Sequence, residues 1–94
     1  MIFTKKLRDR VRSGEITSSV RIWQSPRVKV GRRYPQYDGG EIEVTSIREI
    51  TLSDITPALA RDSGFEGVVD LLKTAKHGAG QRVFLIEFEF HSAD

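Results

Sequence analysis

The sequence of 94 residues contains no cysteine and no long apolar run. Without cysteine the chain can form no disulfide, no thiol nucleophile and no thiolate ligand for a metal. No apolar stretch approaches the roughly 20 residues that a helix needs to span a membrane. The charged start, residues 1–6, lacks the apolar segment of a secretory signal. The sequence therefore predicts a cytoplasmic protein that makes no contact with a membrane.

Signatures of common enzyme and cofactor sites are missing as well. The sequence has no Walker loop, no dinucleotide fingerprint and no nucleophile elbow. Its two histidines, His77 and His91, have no further ligands at a metal-binding spacing. We therefore expect neither a metal ion nor a cofactor.

Positive charge is concentrated in the first third of the chain. The net charge is only +2, yet residues 1–33 carry ten lysines and arginines against two acidic residues, and the remainder carries five against eleven. Such an asymmetry predicts a surface that faces a polyanion. The alternative is that the two parts pair with each other across the fold, which would leave no net patch.

Residues 14–23 alternate like a β-strand and carry an unusual set of side chains. One face of this strand holds two hydroxyls, a guanidinium and an indole, those of Thr17, Ser19, Arg21 and Trp23. These groups can bind a phosphate, a ribose or a base. The alternative is the polar face of an edge strand, with Trp23 packed under a loop.

A second group of candidate ligands follows in residues 29–34. Lys29 precedes the pair Arg32 and Arg33, which stands beside Tyr34 in a segment predicted to be a turn or an exposed loop. The arginines can hold a phosphate while the tyrosine ring stacks on a base. The alternative is a solvated loop tip covered by an aromatic side chain.

The remaining pattern predicts a helix, several strands, two short helices and a long apolar final strand. The predicted helices are Thr4–Ser13, one that begins at Pro57 after the cap Thr56, and Glu66–Lys76. The predicted strands are residues 14–23, Val28–Val30, Glu41–Ile47 with an irregular continuation to Leu52, and Arg82–Phe90. Short strands with one long apolar final strand indicate a small barrel in one domain, residues 1–94.

In the order of these segments the chain resembles the ASCH domains, a PUA-like group of small barrels. The likeness rests on the basic helix that ends at Gly14, the strand with Thr17, Ser19 and Arg21, Lys29–Gly31, Glu41–Ile47, Asp54–Pro57, Ala60, Gly64–Phe65 and Val83–Phe88. The resemblance implies an α+β fold, a small PUA-like β-barrel with flanking short helices, and a cleft that binds RNA or a nucleoside.

Some ASCH domains look like ribonucleases, and one bacterial branch resembles an amidohydrolase of acetylated cytidine that uses a lysine, a threonine and a glutamate. The matching positions here are Ile16, Ser19 and a residue near Ser63, so the lysine and the glutamate are missing. An isoleucine cannot supply a base or a charge. Arg21 matches the arginine that ends the motif.

These observations favour a module that binds single-stranded RNA or a nucleotide in a basic cleft. Its expected ligands are Thr17, Ser19, Arg21, Trp23, Lys29, Arg32, Arg33 and Tyr34. One alternative is a hydrolase of RNA or a modified nucleoside, with Ser19 as the candidate catalytic residue. A second alternative is a protein-interaction module that uses the basic N-terminal helix.

Overall fold

A computed structural model of the chain describes residues 3, 5–36, 39–75 and 82–93. The described part is a small α+β fold around a four-stranded antiparallel sheet that curls into a half-barrel. Its strands are β1 (Ser18–Trp23), β2 (Arg33–Pro35), β3 (Glu41–Ile50) and β4 (Arg82–His91), in the spatial order β1-β4-β3-β2. The last strand of the sequence therefore lies inside the sheet, between β1 and β3.

Strand β4 occupies the interior because it is apolar on both sides. Phe84, Ile86 and Phe88 alternate with Val83 and Leu85, and all five are buried. Alternate residues of a strand point to opposite sides of the sheet. We call the side that carries Phe84 face A and the side that carries Leu85 face B. The sequence prediction for this strand, including its alternation, is confirmed.

Face A is covered by α1 (Lys5–Arg12) and by the loop of residues 24–32. Leu7 and Val11 of the helix pack with Phe88 of the sheet, and Val28 of the loop packs with Phe84. Helix α1 has only eight residues, so its stability comes from this packing.

Face B is covered by α2 (Pro57–Asp62) and α3 (Val68–Ala75). Helix α2 begins where the sequence predicts, because the Thr56 hydroxyl accepts a hydrogen bond from the Leu59 N–H at 3.1 Å. Ala60 and Leu71 are fully buried against the sheet. Phe65, between the two helices, packs against the clusters of both faces.

The structure corrects the predicted strand at Val28–Val30, since residues 24–32 form a loop. Val28 is buried whereas Val30 is 59% exposed, so the alternation does not reflect a sheet. The Lys29 N–H donates to the Tyr34 hydroxyl instead of to a neighbouring strand, and Gly31 has φ +83°. In a further correction, Arg33–Pro35 pairs with β3 as a short strand and is not part of the turn.

Other predictions differ only in detail. The bulge in β3 lies between Val44 and Ser46, earlier than the irregularity that the sequence predicts. Thr4, the predicted start of the first helix, and His77 lie outside the described residues. Within the part that the structure describes, none of the helices has the length and apolar character to cross a membrane.

Candidate nucleic-acid interface

Strand β1 places Ser19, Arg21 and Trp23 on face A, because these residues are opposite Ile86, Phe84 and Arg82 of β4. The Arg21 Nε donates to the Ser19 Oγ at 2.9 Å, and the guanidinium carbon lies 5.2 Å from the centre of the Phe3 ring. Burial lowers the pKa of Arg21 to about 10, since desolvation disfavours the charged form. Arg21 is therefore still a cation at neutral pH.

Trp23 is part of the core, with only 7% of the residue exposed. Its ring lies 6.1 Å from that of Phe84, and the guanidinium carbon of Arg27 lies 6.0 Å from the centre of the Trp23 ring. The indole is thus packed under the loop of residues 24–32, together with Val28. Base stacking on Trp23 remains a prediction, and little of the residue is exposed for it.

Thr17 lies apart from the other hydroxyl and the guanidinium. It precedes β1, and its carbonyl accepts from the Phe88 N–H at 2.9 Å. Thr17 lines a cleft on the face B side whose other residues are Glu15, Ser18, Leu59, Asp62, Leu85 and Glu87. Three carboxylates repel a phosphate, so Thr17 is poorly placed to bind RNA together with Ser19 and Arg21.

The loop of residues 24–32 presents Lys29 and Arg32 to solvent in a tight turn. The Arg32 N–H donates to the Lys29 carbonyl at 3.2 Å, and both residues are exposed. Two backbone hydrogen bonds with Val44, one from the Gly31 N–H at 2.7 Å and one to the Arg32 carbonyl at 3.1 Å, join the turn to β3. The Tyr34 hydroxyl accepts from the Lys29 N–H at 2.8 Å, so this tyrosine holds the loop in place.

Arg33 points to the other side of the sheet from Arg32. It lies opposite Glu43 in the register of β2 and β3, on face B. Its Nε is 3.3 Å from a Glu43 carboxylate oxygen, and its Nη1 is 3.9 Å from one of Glu41. These two carboxylates offset its charge, so Arg33 and Arg32 do not form one phosphate site.

Sequence reasoning did not include Arg27 or the lysines of α1 among the ligands. Arg27, Lys5 and Lys6 are exposed on the segments that cover face A. Arg27 lies two residues before Lys29 in the same loop, and this spacing could have indicated that both belong to one basic segment. Arg12 is instead tied to the fold, since its Nη1 donates to the Gly39 carbonyl at 2.7 Å.

A group of exposed cations lies over face A. The exposed cations Lys5, Lys6, Arg27, Lys29 and Arg32 all belong to the two segments that cover face A. The acidic residues of the face B side, within the described part of the chain, include Glu41, Glu43, Asp54, Asp62, Glu87 and Glu89. Face B also carries cations, among them Arg33, Arg61 and Lys73, so its charge is mixed, whereas α1 and the loop of residues 24–32 place several exposed cations over face A.

The three positions that match the amidohydrolase motif are all buried. Ile16 is 1% exposed and packs with Leu7 and Phe88, and Ser63, in the segment that ends at Gly64, is 2% exposed. Ser19 is 7% exposed, and its hydroxyl contacts the Arg21 guanidinium, which cannot accept a proton. The described residues also contain no group of three histidine, aspartate or glutamate side chains that could hold a metal ion.

In comparisons with known proteins, no family model, no curated protein and no solved structure matches this chain.

Proposed function

We propose that this chain is an RNA-binding module of the ASCH/PUA-like type, which binds single-stranded RNA or a nucleotide over face A. The observation that carries the proposal is the position of the two basic segments. Helix α1 and the loop of residues 24–32 cover the same face of the sheet, through Leu7 and Val28 respectively. A one-sided basic surface attracts the phosphates of a nucleic acid.

Each group has a role in this proposal. The exposed Lys29 and Arg32, with Lys5 and Lys6 on the helix, bind phosphates. Arg21, on face A of β1, holds a phosphate that reaches deeper, and the Ser19 hydroxyl positions its guanidinium by accepting from the Arg21 Nε. The closed PUA-like barrel belongs to the same proposal, which the curl of the sheet supports.

The geometry favours binding over hydrolysis. The Ser19 hydroxyl is nearly inaccessible and contacts a cation, and the position of the missing lysine is filled by the buried side chain of Ile16. A nucleophile needs a neighbouring base, which an arginine does not provide.

The test is the salt dependence of RNA binding by the double variant Lys29→Gln/Arg32→Gln. A labelled single-stranded RNA is titrated by fluorescence anisotropy at several salt concentrations, and its integrity is followed on a gel. Loss of two phosphate contacts reduces the slope of log K against log salt by about 1.4, at roughly 0.7 per contact. We expect this reduction, with weaker binding and intact RNA.

The matched control is Arg61→Gln/Lys73→Gln, which removes two exposed cations from the helices on face B. Its net charge equals that of the first variant, and we expect its affinity and salt slope to stay close to those of the unmodified protein. Equal effects of the two variants would show that only net charge matters and would refute an interface on face A. RNA cleavage that disappears in Ser19→Ala would favour the hydrolase instead.

A further inference from the structure

A cleft on the face B side has two leucines among polar side chains, which are two hydroxyl residues and three acidic residues. It has a volume of about 320 Å³, and Leu59 and Leu85 form its apolar part. Glu15 in its wall is paired with Arg10 at 3.1 Å. Asp62 and Glu87, in contrast, have no ion pair with any residue that the structure describes. The cleft is therefore suited to an apolar group that is flanked by positive charges.

The turn of residues 29–32 has the opposite character. Val30 at its tip is 59% exposed, and Lys29 and Arg32 on either side are exposed as well. The turn is held by the Tyr34 hydroxyl and by the backbone of Val44, so it presents these three side chains on an ordered support. A valine between two cations complements a cleft of leucines between carboxylates.

The turn and the cleft cannot meet within one molecule, because they lie on opposite sides of the sheet. The loop packs on face A through Val28, whereas Leu85 and Glu87 carry the cleft on face B. We propose that the turn of residues 29–32 docks into this cleft on a second copy of the chain. Val30 packs on Leu59 and Leu85, and the flanking cations pair with Asp62 and Glu87.

Such a contact joins two different surfaces, so each copy keeps one free turn and one free cleft. A head-to-tail contact of this kind produces open chains of molecules unless the rotation closes a ring. One small turn buries little area, which makes the contact weak and transient. The attraction between charges is also reduced by salt, as the Debye length falls from about 30 Å at 0.01 M to about 8 Å at 0.15 M.

This inference goes beyond the proposed function, but it uses two of the same cations. Lys29 and Arg32 cannot bind RNA and a second copy at once. We therefore expect single-stranded RNA to dissociate the assembly. The variant Asp62→Lys/Glu87→Lys distinguishes self-association from RNA binding, because it changes the cleft and leaves the proposed RNA surface unchanged.

The experiment is sedimentation velocity of the whole chain at increasing protein concentration and at two salt concentrations. For the unmodified protein we expect the average sedimentation coefficient to rise with concentration at low salt, and much less at 0.5 M (about 4 Å Debye length). Asp62→Lys/Glu87→Lys and, separately, Lys29→Glu/Arg32→Glu should each stay monomeric. Glu66→Lys/Glu89→Lys, a control with the same charge change outside the cleft, should still associate.

An equimolar mixture of the two monomeric variants gives the decisive result. One variant keeps its turn and the other keeps its cleft, and the reversed turn also complements the reversed cleft, so the mixture should associate again as its concentration rises. This recovery would also show that both variants are folded. The proposal is overturned if the unmodified protein remains monomeric at low salt, if the cleft variant associates like the control, or if the mixture contains monomers alone.

Discussion

Ile16 illustrates how much a single residue decides in this protein. It is 1% exposed, and its Cδ1 would lie 2.6 Å from a Cβ added at Gly64. The side chain therefore fills the space between the start of β1 and the segment after α2. An apolar residue in this position contributes to the core and has no route to solvent for a charged group.

We predict that Ile16→Lys destabilises the protein and does not create a hydrolase. Burial of an unpaired ammonium is strongly unfavourable, and we expect a loss of about 3–5 kcal/mol in the free energy of unfolding. Urea denaturation measures this loss, and an assay on acetylated cytidine tests for activity. The control Ile16→Met, which keeps the volume, should cost less than about 1.5 kcal/mol. A stable and active Ile16→Lys protein would contradict the structural role of this residue.

Short elements of this fold depend on their caps and turns. The 3₁₀ helix Leu52–Asp54 follows β3, and both the N–H and the hydroxyl of Thr51 donate to the Asp54 carboxylate, at 2.8 and 3.0 Å. These hydrogen bonds lower the pKa of Asp54, the backbone bond first, because they favour the charged form. The carboxylate thus closes the turn that leads from the sheet to α2.

The lowered pKa predicts a pH-dependent effect of Asp54→Asn. Because the pKa in the folded protein is below the value of about 3.9 in an unfolded chain, the ionised group stabilises the fold above that value. This contribution is lost as the pH falls through the folded pKa. We expect Asp54→Asn to lower the melting temperature at pH 7 and to match the unmodified protein near pH 2.

Thermal unfolding followed by circular dichroism at several pH values checks this prediction. Asp62→Asn is the matched control, since Asp62 is an exposed carboxylate without an ion pair among the described residues. It should show no loss of stability at pH 7. A difference for Asp54→Asn that persists unchanged at pH 2 would mean that the charge of Asp54 is not the cause.

The described residues form three apolar clusters, one on face B and two on face A, and Phe65 packs against one cluster on each face. Its ring closes the end of the layer between α2 and α3. The two faces are otherwise separated by the sheet, so this residue joins the packing of α1 to that of the helices on face B. Phe65 follows Gly64 directly, in the segment that connects α2 to α3.

We predict that Phe65→Ala lowers the free energy of unfolding, and that the packing on face A and on face B is lost in the same transition. We expect the free energy of unfolding to fall by about 3 kcal/mol. This value is at the low end for a phenylalanine truncation, because Phe65 is only half-buried. Trp23, the only tryptophan of the chain, reports on face A by fluorescence, and circular dichroism reports on the whole fold. Both probes should shift equally in urea. The control Val69→Ala, at a residue that is 68% exposed, should change the stability by less than about 0.5 kcal/mol.

Charge is also organised at the scale of the whole molecule. Sequence reasoning left open whether the basic third pairs with the acidic remainder or forms a patch. The structure has both situations, since Arg33 pairs with Glu41 and Glu43 across β2 and β3, while Lys29 and Arg32 are exposed on the side of face A. The proposed RNA surface and the proposed contact between copies both depend on these exposed cations.

Local sequence patterns by themselves determined the elements whose signals are local. The alternation of residues 82–90, the cap at Thr56 and the end of α1 near Gly14 could all be predicted, because each depends on neighbours within a few positions. The shared face of Ser19 and Arg21 follows from the same two-residue period.

Only the tertiary structure decided where these elements meet. Thr17 lines a cleft with three acidic residues that are distant in the sequence or precede the strand, and Trp23 is buried because the loop of residues 24–32 folds back over it. Val28 and Val30 alternate without forming a strand, since Tyr34 takes the hydrogen bond that a neighbouring strand would need. These outcomes depend on contacts between residues far apart in the chain, and the free energy of such contacts cannot be deduced from local periodicity.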